Sequence, residues 1–170
     1  MRAVVVDTNV VLVANGQHPE VSPACVAECA TRLEAITKGV EKLVLDYGRL
    51  IIQEYQNKTD HRTGKRSGDA FVKWALRNTA NSKHVDQVLL QDHADRNFES
   101  FPDDTDLKKF DPSDRKFVAV ACAHPHKPAI LQATDSKWLN WAEPLKRCGI
   151  TVEFICQDDI ARFHANKFGP

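Results

Sequence analysis

Net charge is absent: 23 Lys and Arg balance 23 Asp and Glu across 170 residues, so no global field draws the chain toward a polyanion or an acidic membrane. Any contact with nucleic acid must then be local. Cysteine is sparse and odd in number, five residues with no C-x-x-C spacing. That speaks against both a disulfide framework and a zinc cage and fits a reducing cytoplasm. No apolar run approaches the roughly 18 residues of a membrane span, and the apolar part of the opening Met1 to Asp7 is too short for a secretory leader. Neither a membrane protein nor a secreted one is expected. Internal repeats, low-complexity tracts and linkers are also missing.

What is present is core material. With 42% of residues hydrophobic, 27% charged and three Trp, the composition is that of a folding chain rather than a disordered one. Against a prior of roughly 150 residues per domain, the length predicts one domain over residues 1–170.

Short apolar runs alternate with longer stretches of helical period, the signature of parallel strands joined by crossover helices. Ala3 to Val6, Leu43 to Leu45, Ala129 to Leu131 and Val152 to Ile155 are the strand candidates; their continuous apolar character predicts burial on both faces. Val88 to Leu90 is too short to assign to strand or helix. Helices are expected over Pro23 to Thr37, Arg49 to Asn57, Asp69 to Thr79, Ser113 to Cys122, Ser136 to Arg147 and Asp158 to Ala165. The class is therefore α/β, three layers with a mainly parallel central sheet. Asn57 to Gly68 reads as an exposed basic loop, and Asn97 to Pro112 as a long irregular connection of the kind that often carries function.

Ligands of open parallel sheets bind beyond the carboxyl ends of the strands. Two strand candidates run into an aspartate there: Val4 to Val6 leads to Asp7-Thr8-Asn9, and Ile130-Leu131 leads to Thr134-Asp135-Ser136. Either acid alone is equally well explained as a helix cap. Asp111-Pro112-Ser113-Asp114 is a strong helix start, yet Asp114 shares a helix face with Phe117, Val118 and Ala121 by the i, i+3, i+4, i+7 rule. An acid at the rim of a buried face requires a cation or donors. Glu54, among the apolar residues of Ile51-Ile52-Gln53-Glu54-Tyr55, taken singly is an ordinary solvated acid.

Taken together, Val5-Val6-Asp7-Thr8-Asn9, Gln53-Glu54-Tyr55, Asp114-Arg115-Lys116-Phe117-Val118 and Thr134-Asp135-Ser136 resemble, in order and rough spacing, the PIN-domain nuclease family. The resemblance spans Met1 to about Ile155. It implies a PIN-like fold and an acidic pocket made by Asp7, Glu54, Asp114 and Asp135 that binds Mg²⁺ or Mn²⁺ and hydrolyses single-stranded RNA, less often DNA. Asp111 stands one helical turn from Asp114 as its alternative, and Asp46 is a further acid nearby. As partners the resemblance implies, besides RNA, an inhibitory antitoxin or other regulatory protein and a second copy of the chain. The chemistry is consistent with that reading. A hard cation held by carboxylates generates hydroxide and relieves phosphate charge, and clustered carboxylates make an empty pocket costly. Asp7, Asp114 and Asp135 are expected to bind the metal. Glu54 binds it too or orients the attacking water, while Thr8, Asn9 and Ser136 steady the aspartates or simply make turns and caps.

Lys58, Arg62, Lys65 and Arg66 form the local positive patch that a neutral protein needs to hold a phosphate backbone. A phosphatase starting from the same first acid needs a second acid at the place Asn9 holds. The rival with most substance is a PIN-like module that binds RNA or protein without catalysis. Cys122, His124 and His126 read as a helix end and turn, because no second cluster completes a metal site. Trp138, Trp141 and Leu145 read as a core stripe, and Trp74 as packing.

Overall fold

Val, Leu and Ile at consecutive positions leave a strand no polar face, so it is stable only where both faces are covered. The computed structural model, which describes residues 1–170, meets that requirement. In chain order it comprises β1 (Ala3–Val6), α1 (Thr8–Ala14), α2 (Pro23–Thr37), β2 (Lys42–Asp46), α3 (Leu50–Lys58), α4 (Ser67–Asn78), β3 (Val85–Val88), the short β4 (Asp92–His93) and β5 (Asn97–Phe98), α5 (Arg115–Ala123), β6 (Ala129–Gln132), α6 (Lys137–Arg147), β7 (Val152–Phe154) and α7 (Gln157–Phe168). Single 3₁₀ turns span Thr105–Leu107 and Pro112–Asp114. The central sheet is parallel throughout, in the order β3-β2-β1-β6-β7. Helices flank it, so the molecule is an α/β protein of three layers.

Starting from β1, the chain runs outward through β2 and β3 and later returns to lay β6 and β7 on the other side. The order therefore reverses between β1 and β6, the switch point at which open α/β sheets bind ligands. Val4 to Val6 pair with Ala129 to Leu131 in register, which brings both strands to the same edge together. Asp7 continues the ladder with its amide donating to Leu131 O at 3.1 Å.

The four strand candidates and six expected helices are present with boundaries shifted by a few residues. Val88 to Leu90 resolves into a strand lying earlier, Val85–Val88, whose Asp86 and Gln87 are half-buried because β3 is an edge strand. The long connection is built around one buried cation. Arg115 donates to the carbonyls of Lys108 (2.9 Å), Phe110 (3.2 Å) and Asp95 (3.3 Å). It also lies over the Phe101 ring. Phe98, Phe101, Leu107 and Phe110 enter the core from this segment. Trp138 and Leu145 are buried and Trp141 packs beside them, as the stripe predicts, and Trp74 stacks on Phe71.

The expectation of unpaired cysteines is overturned. Cys25, in the first turn of α2, forms a disulfide with Cys156 at the start of α7. An odd count with no local spacing motif carries no information about a pair 131 residues apart, and cysteine usage ceases to point to a reducing compartment. A link closing so long a loop is worth about 4–5 kcal/mol in the chain-entropy account. Cys29 lies 3.7 Å from the Cys156 sulfur, and burial pushes its thiol up to about 12, so it stays protonated. Beside the disulfide, Asp159 accepts from Ser22 N and Oγ, both at 2.7 Å.

Helix α4 crosses α1 at Gly68, where a Cβ would come within 2.3 Å of Val11 O and 2.7 Å of Asn15 Oδ1. Neither atom belongs to a flexible side-chain end free to give way. Gly68→Ala should therefore destabilise the protein by about 1–3 kcal/mol, read as a lower urea midpoint with an unchanged slope. An unaltered midpoint would show that the two helices do not meet this closely.

Candidate functional site

Each predicted acid can be followed from its element. Asp7 ends β1 and caps α1, its Oδ2 accepting from Asn9 N at 3.0 Å. Only 4% of its surface is exposed. Asp135 follows β6 in the loop before α6, where its Oδ1 accepts from Lys137 N at 3.3 Å. Asp114 closes the 3₁₀ turn that leads into α5. Glu54 lies midway along α3. The parallel register and helix packing bring these carboxylates within electrostatic reach of one another at the sheet edge: Asp7 feels the charges of Asp114 and Asp135, and Asp114 those of Asp135, Asp111 and Glu54.

The cost of that crowding is visible in protonation. Asp7 is raised to about 8, first by burial and then by Asp114, with Asp135 adding to it; the Asn9 amide and the Gln132 side chain work the other way. Asp114 is raised to about 6 by burial, then by Asp135 and Asp111, while Lys137 opposes the rise. A more exposed acid met by hydrogen-bond donors and a cation does not behave so. Asp111 is an example, held below the usual carboxylate range by Ser113 N and Oγ and by Lys137. The ambiguity between Asp111 and Asp114 thus resolves physically: Asp111 caps the 3₁₀ turn, and Asp114, one turn on, faces Asp7. Asp46 is a cap as well, its two oxygens accepting from Leu50 N and Ile51 N at 2.8 and 3.0 Å.

Two lysines that sequence reasoning missed stand in the pocket. Lys116 Nζ is 3.0 Å from Glu54 Oε1, and Thr8 Oγ1 donates to Glu54 Oε2. Both oxygens of Glu54 are thereby engaged inside the protein. Lys137 Nζ lies 3.1 Å from Asp111 Oδ2 and 3.9 Å from Asp135 Oδ2. Asp7 and Asp114 have no lysine or arginine bound to them.

Asn9 is a clasp rather than a contact to an acid: its Oδ1 accepts from Thr134 N at 2.7 Å and Thr134 Oγ1 at 3.2 Å. It ties the loop after β6 to the start of α1. Gln132, fully buried, accepts through Oε1 from Ala133 N (2.9 Å) and Asp135 N (3.3 Å). Its Nε2 is left without a partner although the side chain lies beside Asp7. Ser136 caps α6 by position, with no hydrogen bond from its side chain to the helix. Tyr55, one residue after Glu54, donates to Val6 O and fixes α3 under β1.

Of the basic loop, Lys58, Arg62 and Lys65 are exposed. Arg66 is committed to structure, at 2.9 Å from Asp69, which is buried and also accepts from Asn15 Nδ2 and Asp60 N. Sequence reasoning could not see this, since Asp69 reads as a first-turn acid of α4.

The donor set is hard and anionic, the kind Mg²⁺ or Mn²⁺ takes, but the oxygens of Asp7, Asp114 and Asp135 do not all lie within 4.8 Å of one another here, so an ion would have to draw them together or reach some of them through water. No protein family, curated protein or solved structure matches this chain, so the functional reading rests on its own residues.

The raised acids set a pH dependence whose sign is fixed. Asp7 and Asp114 sit above the ordinary value of 3.8 in the folded protein, at about 8 and about 6. Between these limits the folded state holds more protons than the unfolded state, so stability falls as pH rises. Melting curves in chelator should therefore decline from pH 5 to pH 8, and Asp7→Asn should flatten the decline. Mn²⁺ should restore most stability at the alkaline end, with proton release on binding near pH 7. Stability rising over this window would contradict the pocket's electrostatics.

Proposed function

We propose that the chain is a divalent-metal-dependent nuclease that hydrolyses phosphodiester bonds of single-stranded RNA. No helix is long and apolar enough to cross a membrane. The observation that carries the reading is positional: Asp7 at the end of β1 and Asp135 after β6 emerge together at the sheet's switch point, with Asp114 near enough for its charge to act on Asp7.

Asp7, Asp114 and Asp135 would hold the ion, which supplies a hydroxide at neutral pH and charge relief for the phosphate. Glu54, held at both oxygens by Lys116 and Thr8, is pre-oriented to position the attacking water. Lys137, between Asp111 and Asp135, is placed to offset charge on the scissile phosphate. Lys58 and Lys65 extend the positive surface toward the incoming strand.

Asp7→Asn and Asp135→Asn should each lower Mn²⁺-dependent cleavage of a labelled single strand by at least about a hundredfold, since even losing a group that merely orients a ligand costs 10–100-fold. The fold should survive, because Asn caps as well as Asp. Wild-type turnover in either variant would remove the assignment. The two lysines already seated among the acids favour a second reading, a module that holds RNA without cutting it. Binding of the strand with no metal-stimulated cleavage would select that reading.

Lys58→Ala with Lys65→Ala should weaken single-strand binding and reduce its salt slope by about 0.7 for each phosphate that the protein no longer neutralises, measured by fluorescence anisotropy. An unchanged slope would return both lysines to the solvated surface.

A further inference from the structure

Helix α3 carries Glu54 toward the clustered acids and on an adjoining face helps form a cavity of about 510 Å³ against the turn that follows it. Its lining includes Gln53, Gln56, Asn57, His61 and Arg62 and contains no hydrophobic residue. The volume falls in the range of small-ligand sites, about 300–1,000 Å³. The lining is unusual in its chemistry. Three neutral carboxamides, each offering a donor and an acceptor, project from one helix and make no hydrogen bond to the rest of the protein, unlike Asn9, Asn15 and Gln132. His61 adds a buried Nδ1 with no partner. The opposing wall is fixed: Thr59 Oγ1 donates to Tyr55 O at 2.7 Å, and Asp60 N to the buried Asp69 at 3.0 Å.

A phosphate backbone asks for cations, and this cavity has one, Arg62. Carboxamides and a guanidinium fork instead match the edge of a base. Asn and Gln pair with adenine at N6 and N7, and Arg with guanine at O6 and N7. Such edges are reachable in RNA only on unpaired, splayed-out bases. Asn57 lies three residues beyond Glu54 on the same helix, a rise of roughly 4.5 Å, which sets the cavity directly beside the acidic pocket.

We infer that this cavity is a base-reading subsite that binds an unpaired purine of the RNA strand next to the scissile phosphate, with Gln53, Gln56, Asn57 and Arg62 contacting its base edge. The inference rests on the nuclease reading for the word scissile, but base recognition itself does not require cleavage. Lys58 and Lys65 would track the backbone, and the amides would choose the base.

The test has two arms on the full chain. In the first, products of Mn²⁺-dependent cleavage are mapped on single-stranded RNA pools randomised around the cut. A purine should be preferred at one position beside the cut by about 5–150-fold, the equivalent of one good bidentate base contact. The preference should collapse toward unity in Gln53→Ala/Gln56→Ala and in Arg62→Ala. In the second arm, anisotropy of the Asp7→Asn protein with oligoadenylate, oligoguanylate and oligouridylate probes measures base preference without catalysis. Purine probes should bind more tightly, and the same substitutions should erase the difference while leaving the melting temperature unchanged. Cleavage without a purine preference, or with a preference that survives the substitutions, overturns the subsite and leaves the nuclease intact. Purine-selective binding that disappears on substitution, with no cleavage by the wild type, supports the subsite and overturns the nuclease. Equal affinity for all probes in the second arm overturns the subsite whatever the first arm returns.

Discussion

Like charges stay together here because β1 and β6 are locked in register. Val4, Val5 and Val6 sit opposite Ala129, Ile130 and Leu131, and the ladder runs one residue further, into Asp7 itself. Asn9 then fastens the loop of Asp135 through Thr134. Neither acid can retreat from the other without breaking sheet or clasp. The helices are arranged around that fixed pair: Tyr55 ties α3 to the end of β1, and the Arg115-centred segment sets the turn that presents Asp114.

A pocket so constrained holds more negative charge than its lysines relieve. Lys116 is used by Glu54 and Lys137 leans toward Asp111, so the unrelieved charge concentrates on Asp7 and Asp114. Burial is the larger part of the penalty on both, since a low-dielectric surrounding disfavours the ionised form. A proton is one outlet and, in the proposed reading, a divalent cation is the other, so that pH and metal decide between them. The same element that presents Glu54 also presents three unengaged carboxamides on an adjoining face, so one helix serves both the proposed chemistry and the proposed choice of base.

Much of this was legible in the chain, for physical reasons. β1, β2 and β6 announce themselves because strands covered on both faces have no polar positions to confuse the pattern. β3 does not, because an edge strand tolerates Asp86 and Gln87, and β4 and β5 are only two residues long each. Asp7 and Asp135 were readable as strand-end acids; which of Asp111 and Asp114 joins them was not, because a 3₁₀ turn lies between them and shifts the helical count. Lys116 and Lys137 were invisible, since long cationic side chains choose their partners only once the chain is folded. Arg66 reads as part of a free patch until Asp69 is found buried beneath it. The Cys25–Cys156 pairing is a property of how α2 meets α7, and no local spacing encodes it.

That disulfide also determines what a break in the chain does. The exposed loop around Arg62 and Lys65 lies between the two bonded cysteines, with Cys25 on one side and Cys156 on the other. A single cut there yields one piece carrying Asp7 and Glu54 and another carrying Asp114 and Asp135. The pieces remain one covalent molecule until the sulfur link is reduced. Hydrolysis at this exposed loop is therefore not by itself dissociation of the acidic cluster, and a nicked chain would migrate as two fragments only in the presence of a thiol.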